Sequence, residues 1–543
     1  MNPFATTRRA ALAGAMGALW LAGGAAAADV SLTAPVETTT GRVRGKRSEG
    51  ISRFLGIPYG GDASQVRFQP AHPPAPWTGV RDCLAVGHQA LQLEPAPPRP
   101  GVNMNTDFLR QVYSAMREGN QEGDESEDCL VLNVFTPEAS RRRKRPVMFW
   151  MHGGGFTQGS AGGPQYDGGA LARRGDVVVV TVNHRLNAMG YLYLGELHPD
   201  FADSGNVGEL DLILALRWVR DNIEAFGGDP GNVTIFGESG GGGKVSTTLA
   251  TPPAKGLFHK AIVISGPGLR MVEKADAVAH AERTLAELGV APADVRRLQT
   301  MDPRAILRAA KLAQRPGPVM GGLALGPVVD GRTLPRHPFD PDAPAMSRDV
   351  PLIVGTTHDE ATIFMAWDPL FPNGTETQVR ERFNLMLHDR GPAAFELYRS
   401  LAPNDPPAYW MIAMVTGRGT WMDSIRLTER KAAQHGAPAY MFRFDWRTPF
   451  AGGAMRAVHM TDVPILFDNV ATRRGMLGDG PEPQRLANVM SRALTDFARS
   501  GDPSQPGLAW PAYDSASRQT MVFDNQSRAV ADPDRVAREF WSV

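Results

Sequence analysis

The sequence has few cysteines and no excess of either charge. It contains 2 cysteines among 543 residues, too few for a disulfide-stabilised scaffold or a four-cysteine zinc site. Its 57 Lys and Arg residues match its 57 Asp and Glu residues, so the formal net charge is zero. This balance argues against a nucleic-acid-binding protein and against a protein that binds anionic membranes through a positively charged surface.

The sequence also lacks internal repeats and long low-complexity tracts, and past its first 28 residues no apolar run approaches a membrane span. It is instead rich in glycine and proline, with 58 and 44 residues, which predict many loops. Length alone would favour about three or four domains, but large α/β enzymes often exceed that size as one unit.

The N-terminal segment differs from the rest of the chain. Arg8 and Arg9 precede a Gly- and Ala-rich apolar stretch that ends in four alanines and carries no charge before Asp29. This pattern is typical of an export signal, and the paired arginines favour the twin-arginine route. A membrane anchor is the alternative, but Ala and Gly supply little transfer free energy. We therefore expect residues 1–28 to be removed on export to the periplasm or medium of a bacterial cell, and residues 29–543 to form one domain.

From about residue 147 the hydrophobic pattern alternates between strands and helices. A helical stripe covers residues 209–226, and a continuous β-branched run at 177–182 is typical of a strand buried on both faces. Repeated alternation of this kind predicts an α/β fold whose sheet is mostly parallel, with helices on both faces. The other predicted strands are 147–151, 233–237, 260–265, 351–355 and 440–444.

Two segments interrupt this alternation. Residues 95–128 are proline-rich and then acidic, which predicts a surface excursion that either overlies the active site or is simply solvated. Residues 275–341 have a helical pattern, and we expect them to cover the site as a cap.

The pentapeptide Gly-Glu-Ser-Gly-Gly around Ser239 carries the chemistry of the chain. It follows the apolar run at 233–237 and precedes a predicted helix at 244–250, which is the strand–turn–helix context of a nucleophile elbow. The turn is so sharp that the residues two before and two after the serine, Gly237 and Gly241, must be small. The serine hydroxyl is thereby exposed at a helix N-terminus, whose partial positive charge favours a developing anion.

A second glycine run follows the predicted strand at 147–151. Here His152 is followed by three glycines, which allow successive backbone N–H groups to turn toward one point. Such a run forms one part of an oxyanion hole, and the N–H of Gly240, directly after Ser239, supplies the rest. A plain flexible turn is the alternative interpretation.

A serine nucleophile needs a histidine as base and an acid that orients the histidine. In a fold with a nucleophile elbow, the acid follows the serine along the chain and the histidine follows the acid. Seven histidines follow Ser239, and composition does not choose between them. The loop after the predicted strand at 440–444 contains His459. Asp359 and Glu360 lie in the loop after the preceding predicted strand, and either carboxylate could serve on chemistry alone.

Further segments extend this pattern over nearly the whole of the chain after residue 28. They are GRVRG at 41–45, FLGIPY at 54–59, RFQP at 67–70, SEDCLVLN at 126–133, NHRL at 183–186, NIEAFGGDP at 222–230 and GTTHDE at 355–360. Together with the elbow, these segments resemble the type-B carboxylesterases, the family that includes cholinesterases and bacterial para-nitrobenzyl esterases.

The resemblance implies an α/β-hydrolase fold with a large, mostly parallel central sheet, helices on both faces and cap or loop insertions. It implies a serine esterase that acts on small-molecule esters and needs neither a metal nor an organic cofactor. It places the triad acid on Glu360, the triad histidine on His459, and the oxyanion donors on Gly154, Gly155 and Gly240.

Two departures from the family pattern concern small residues. Gly240 stands where the family usually has alanine, but the N–H donor is retained. The family's first disulfide usually joins the cysteine of the SEDCLVLN segment, here Cys129, to a cysteine at the position of Ala90. Because Cys83 lies seven residues earlier, a bridge between Cys83 and Cys129 is left open.

These residues predict ester hydrolysis through an acyl-enzyme, with an acyltransferase using the same intermediate as one alternative. A non-catalytic, cholinesterase-like binding module is another, but such domains lose triad residues. Glu238, directly before the nucleophile, is expected to act either as a negative charge that supports the catalytic residues or as a structural hydrogen-bond acceptor. Aromatic and apolar residues that could line the pocket or belong to the core are Phe156, Phe364, Met365 and Trp367.

Overall fold

The computed structural model describes residues 30–93, 107–117, 123–315 and 325–542. The predicted export signal at 1–28 therefore lies outside the described residues. Within these ranges, no helix is long and apolar enough to cross a lipid bilayer.

A twelve-stranded sheet forms the centre of the described chain. Its strand order is β1-β4-β5-β7-β9-β8-β10-β11-β14-β15-β16-β17, and a two-stranded and a three-stranded sheet lie apart from it. The strands are β1 Ser31–Leu32, β2 Val36–Glu37, β3 Arg42–Arg44, β4 Lys46–Ser48, β5 Ile51–Pro58, β6 Val80–Asp82, β7 Val131–Thr136, β8 Arg145–Met151, β9 Val178–Val182, β10 Gly228–Glu238, β11 Lys260–Ile264, β12 Val272–Glu273, β13 Val328–Val329, β14 Leu352–Thr357, β15 Ala439–Phe444, β16 Gln519–Phe523 and β17 Arg528–Ala531.

The α-helices lie between and around these strands. They are α1 Asp107–Arg117, α2 Gly169–Gly175, α3 Asn187–Tyr191, α4 Val207–Asn222, α5 Gly240–Thr248, α6 Lys274–Leu288, α7 Pro303–Leu312, α8 Thr362–Met365, α9 Glu376–Leu387, α10 Gly391–Leu401, α11 Pro407–Thr416, α12 Met422–Ala432, α13 Asp462–Leu466, α14 Arg474–Leu477, α15 Glu482–Ser500 and α16 Arg535–Trp541.

The strands β9, β8, β10, β11, β14, β15 and β16 are parallel neighbours, whereas both margins of the large sheet pair antiparallel. The predicted α/β fold with a mostly parallel sheet is therefore confirmed. Each strand predicted from 147 onward is present, with bounds that differ by a few residues. The largest difference is in β10, which begins at Gly228 because Gly228 already pairs with Arg145 before a register shift.

The two faces of the sheet bury separate clusters of apolar side chains. In β8, Phe149 and Met151 face a core built with α4, whereas Met148 and Trp150 face a core built with α2, α13 and α15. This division follows from the strand period of two, since successive side chains point to opposite faces. Both faces are covered, which explains the continuous apolar runs in the sequence.

The two predicted insertions contain helices. The segment 95–128 includes α1, whose Val112 is wholly buried among residues such as Ile363 and whose Phe108 ring lies 5.6 Å from that of Phe371. The part that is described is therefore packed, and a simply solvated loop is wrong there. In the segment 275–341, α6 and α7 pack on each other and α7 on α3, as the helical pattern predicted. Whether this segment caps the site stays a prediction.

The two cysteines, Cys83 and Cys129, are buried free thiols in this structure. Burial raises the pKa of Cys83 to about 11 and that of Cys129 further. Thiols with raised pKa values carry little thiolate at neutral pH, so both are packing residues of the core and not nucleophiles.

Candidate active site

The strand β10 and the helix α5 meet in a single-residue turn at Ser239. This serine has φ 57° and ψ −124°, a conformation that is strained for a side-chain-bearing residue. A Cβ at Gly241 would clash with the carbonyl oxygen of Met151, and a Cβ at Gly237 would approach the backbone of Gly241 to 2.5 Å. The sharp turn predicted from small residues on both sides of the serine is therefore present. The helix begins at Gly240, earlier than predicted, because tertiary packing overrides the poor helix propensity of the glycine run.

The glycine loop after β8 lies directly against this turn. A Cβ at Gly153 would lie 3.4 Å from the Cβ of Ser239, and Gly154 and Gly155 have φ of 87° and 63°, which favours glycine. In the described ranges, the hydrogen bonds include none donated by the N–H groups of Gly154, Gly155 or Gly240. Three backbone donors without a protein acceptor, beside the hydroxyl of a half-buried serine, are what an oxyanion hole requires.

Gly240 packs on the loop more closely than a side chain would permit. A Cβ built at this position would clash with the carbonyl oxygen and Cα of Gly155. The departure from the usual alanine is therefore coupled to the path of the glycine loop in this chain.

The structure distinguishes the two candidate acids. Nδ1 of His459 is hydrogen-bonded to Oε2 of Glu360, while Oε1 of Glu360 accepts the Thr357 N–H at 2.8 Å. Asp359 instead contacts His358, its Oδ2 lying 3.1 Å from Nδ1 of that ring. Both His459 and Glu360 are buried, so their hydrogen bond is shielded from water.

The other histidines after the elbow have structural partners or lie at the surface. His259 accepts the N–H of Val233, and His337 contacts Glu273. The side chain of His280 contacts the carbonyl of Ala310. His388 and His435 are exposed.

The second nitrogen of the His459 ring faces the residue before the serine. Its Nε2 lies 3.2 Å from Oε1 of Glu238, and no hydrogen bond joins Ser239 to His459 among the residues described. Catalytic hydrogen bonds are often long in free hydrolases and shorten when substrate binds. With a carboxylate at each ring nitrogen, the arrangement favours the doubly protonated imidazolium.

The electrostatics follow from this arrangement. Burial opposes a charged imidazole, but the carboxylates of Glu238 and Glu360 outweigh it and raise the pKa of His459 to about 9. Burial also raises the pKa of Glu238 to about 7, against the lowering effect of His459. A proton that His459 accepts is therefore stabilised by two neighbouring negative charges.

Sequence reasoning missed a third carboxyl group at this site, that of Asp462. It is wholly buried, and neither oxygen has a hydrogen-bond partner in the described structure. Burial, with added repulsion from Glu238 and Glu360, raises the pKa of Asp462 well above its ordinary value, which favours the protonated form. Its place three residues after His459 was the only available signal, and a carboxylate in a loop is usually solvated.

The predicted lining residues divide into exposed and buried ones. Phe364 is 47% exposed, and its ring centroid lies 5.2 Å from that of His459, so it offers apolar surface beside the catalytic groups. Phe156 is buried and packs edge-on against Tyr191, and Met365 belongs to the core. Trp367 is partly buried against the same core.

These groups together provide a strained serine, a histidine–glutamate pair and free backbone donors. Comparison with protein families gives a match to the carboxylesterase family over residues 33–541. The chain belongs to the carboxylesterase family. It is a carboxylic ester hydrolase with the α/β-hydrolase fold, as the resemblance implied.

Relatives and solved structures agree along almost the full chain. The para-nitrobenzyl esterase of Bacillus subtilis is 34% identical over 511 residues, covering 93% of this chain and 97% of that protein. The phenmedipham hydrolase of Pseudarthrobacter oxydans is 31% identical and covers 93% and 99%. A crystal structure of a Geobacillus stearothermophilus carboxylesterase superposes with a TM-score of 0.78 at 36% identity, covering 93% and 99%.

Proposed function

We propose that Ser239, His459 and Glu360 form the catalytic triad of this carboxylesterase. The observation that carries the proposal is the buried hydrogen bond between His459 and Glu360, beside a serine held at a strained elbow. Glu360 fixes the imidazole tautomer, so that Nε2 is the nitrogen available to the serine.

The first half of the reaction forms an acyl-enzyme. Ser239 Oγ attacks the ester carbonyl carbon while Nε2 of His459 accepts the hydroxyl proton, and a tetrahedral intermediate results. Its oxyanion accepts hydrogen bonds from the N–H groups of Gly154, Gly155 and Gly240, each worth about 3–4 kcal/mol of barrier. The intermediate then collapses, the C–O bond to the alcohol breaks, and His459 gives its proton to the departing oxygen.

The second half returns the enzyme. A water molecule attacks the acyl carbon while His459 accepts one of its protons, and a second tetrahedral intermediate forms. Collapse of this intermediate breaks the bond to Ser239, which regains the proton, and the carboxylic acid leaves. Before the attack, Nε2 of His459 must break its contact with Glu238 and form one with the Ser239 hydroxyl. Glu238 then stabilises the imidazolium that forms when His459 accepts the serine proton.

The substrates we propose are uncharged small-molecule esters. Phe364 supplies apolar surface beside His459, whereas the charged groups of the site are the buried carboxylates, which would repel an anionic acyl group. The relatives are named for para-nitrobenzyl esters, phenmedipham and fumonisin B1.

We also propose that residues 1–28 direct export and are removed, so that residues 29–543 act as one domain in the periplasm or the medium. N-terminal sequencing of the exported protein should begin near Asp29. A nucleic acid, a metal and an organic cofactor have no part in the proposed reaction.

Hydrolysis of a para-nitrophenyl ester series, from acetate to long-chain, by wild type and Ser239→Ala tests the function. We expect activity that depends on chain length and falls at least about 10⁴-fold in the variant, since the nucleophile is lost. Activity that survives in Ser239→Ala would contradict the assignment. Ester exchange that exceeds hydrolysis when alcohols are added would indicate an acyltransferase instead.

A further inference from the structure

Helix α5 buries a lysine five residues after the nucleophile. Lys244 is wholly inaccessible to solvent, and its Nζ donates a hydrogen bond of 2.8 Å to the carbonyl oxygen of His152. His152 is the first residue of the glycine loop. The ammonium therefore contacts the backbone at the point from which the predicted oxyanion hole begins.

A buried ammonium is costly, so its retention needs a compensating contact. No carboxylate in the described chain lies within 4.0 Å of Lys244, which has no ion pair. Burial lowers the pKa of Lys244 to about 7, and the charge of Glu209 only partly opposes this. Desolvating an unpaired charge costs several kcal/mol, and the contact with His152 is the hydrogen bond that offsets it.

The groups around Lys244 form a buried cluster, which we name the lysine cluster. Thr248 donates to Oε1 of Glu209 at 2.6 Å, and the rings of His152 and His184 stack with centroids 5.2 Å apart. The members of the lysine cluster are Lys244, Glu209, His152, His184 and Tyr191.

The loop leaves little room for a displaced peptide at His152. Its next residue, Gly153, lies against Ser239, and the Gly154 carbonyl accepts the Gln158 N–H at 3.0 Å. A rotation of the peptide between His152 and Gly153 would therefore be transmitted to the donors at Gly154 and beyond. Displacements of about 1 Å in such groups cost about 100-fold in rate.

We infer that Lys244 is a positioning residue for the oxyanion hole. By donating to the His152 carbonyl it fixes the first peptide of the glycine loop, and so it aims the N–H groups of Gly154 and Gly155. The inference rests on the proposed function of these donors. Lys244 itself does not touch the substrate.

The chain offers a matched control at Lys431. This lysine is also buried and donates to backbone carbonyls, those of Ser347 at 2.8 Å and Arg348 at 2.7 Å. It lies on α12, which packs on β14 and β15, and its hydrogen bonds go to the chain at 347–348, before β14 begins. Replacing either lysine removes a buried amine and its hydrogen bond, but only Lys244 contacts the glycine loop.

The test compares Lys244→Met with Lys431→Met, because methionine keeps an unbranched side chain without a donor. We expect Lys244→Met to lower kcat on para-nitrophenyl acetate about 10- to 100-fold with KM changed less than about threefold, since the donors act mainly on the transition state. The affinity for a trifluoromethyl ketone, which forms a tetrahedral adduct, should fall in parallel. Lys431→Met should keep kcat within about twofold when both are assayed well below their Tm.

The rate of Ser239 phosphonylation by a fluorophosphonate separates this inference from the proposed function. A wild type that hydrolyses no ester and does not react would contradict the function. A reactive wild type whose kcat and phosphonylation rate are matched within twofold by Lys244→Met would overturn the positioning role. If Lys244→Met does not fold, Lys244→Gln takes its place. Its shorter side chain holds the His152 carbonyl less closely, so we expect its kcat to be about two- to tenfold below that of wild type. A kcat equal to that of wild type would overturn the inference.

Discussion

Two buried groups of titratable side chains lie near the nucleophile elbow. In the first, one imidazole is surrounded by carboxyl groups, and we name this the acid cluster. The second is the lysine cluster, with one amine, one carboxyl group, two imidazoles and one phenol. The members of the acid cluster are Glu238, Glu360, His459 and Asp462.

Burial is equally complete in both clusters, but its effect on the bases differs. In the lysine cluster, burial and the charge of Lys244 lower the pKa of His152 and His184 well below the usual value, so these rings stay neutral. In the acid cluster, carboxylates outweigh burial and raise the pKa of His459. Burial with a neighbouring positive charge therefore keeps a histidine neutral, whereas adjacent negative charge makes the buried His459 able to take up a proton.

The largest expected effect comes from removing the charge that orients His459. Glu360→Gln should lower kcat about 10³- to 10⁴-fold, because the amide neither fixes the tautomer nor stabilises the imidazolium. Steady-state kinetics on para-nitrophenyl acetate measure this. The control is Asp359→Asn, whose carboxylate is also buried but contacts His358, and it should retain activity within about tenfold. Equal losses in the two variants would remove the distinction between the acids.

The pH profile tests whether Glu238 sets the proton affinity of His459. Activity requires neutral imidazole, so kcat/KM should rise as pH increases through the pKa of His459. Glu238→Gln removes a negative charge 3.2 Å from Nε2, so that pKa falls and the rising limb moves to lower pH by about one unit or more. Glu209→Gln, in the lysine cluster, should leave the pH at which kcat/KM rises unchanged. A limb that does not move in Glu238→Gln would contradict the role of this charge.

The smallest expected effect concerns stability and Asp462. Because its pKa is raised in the folded protein, the folded state keeps a proton that the unfolded chain releases above about pH 4. Stability is therefore lost as pH rises from the unfolded toward the folded pKa, by about 1.4 kcal/mol per pH unit. Asp462→Asn cannot ionise, so the free energy of unfolding of the variant should increase relative to that of wild type as pH rises above the unfolded pKa of about 4.

Asp359→Asn provides the opposite case for the same measurement. Burial would raise the pKa of Asp359, but the neighbouring His358 and other donors outweigh this effect, so the pKa is lowered. The ionised Asp359 therefore stabilises the fold fully at every pH above the pKa of an aspartate in the unfolded chain. Because the same carboxylate raises the pKa of His358, the stability cost of Asp359→Asn should be largest while that ring is protonated and should level off once the ring is neutral. A stability difference for Asp462→Asn that does not change with pH would show that Asp462 is ionised in the folded protein.

Much of this architecture could be predicted from the sequence because it depends on local pattern. The strand predicted at 440–444 is Ala439–Phe444, and the turn at Ser239 follows from its small neighbours and its strand and helix context. The start of β10 at Gly228 could not be predicted, since its first residues have the composition of a turn. It joins the sheet only because Arg145 of the neighbouring strand is there to pair with it.

The groups that were missed depend on contacts between distant parts of the chain. Asp462 has a raised pKa only because it is buried beside other carboxyl groups, and its residue type gives no sign of this. In the same way, Lys244 has the composition of a solvated helix residue, and its contact with His152 exists only in the folded chain. The elbow pattern predicted the serine, the family resemblance placed the histidine and the glutamate, and Glu238 was expected as one of two alternatives, whereas the roles of Asp462 and Lys244 required the packing.

The contact between Gly240 and the carbonyl of Gly155 has a consequence for how this enzyme can change in evolution. With the glycine loop in its present position, an alanine at 240 would clash with the carbonyl of Gly155. A variant that gains the alanine before the loop has shifted would therefore have a displaced donor and a lower esterase activity. The pair should therefore be inherited together, and a laboratory selection that starts from this chain would accept alanine at 240 only after the loop at 153–155 had shifted.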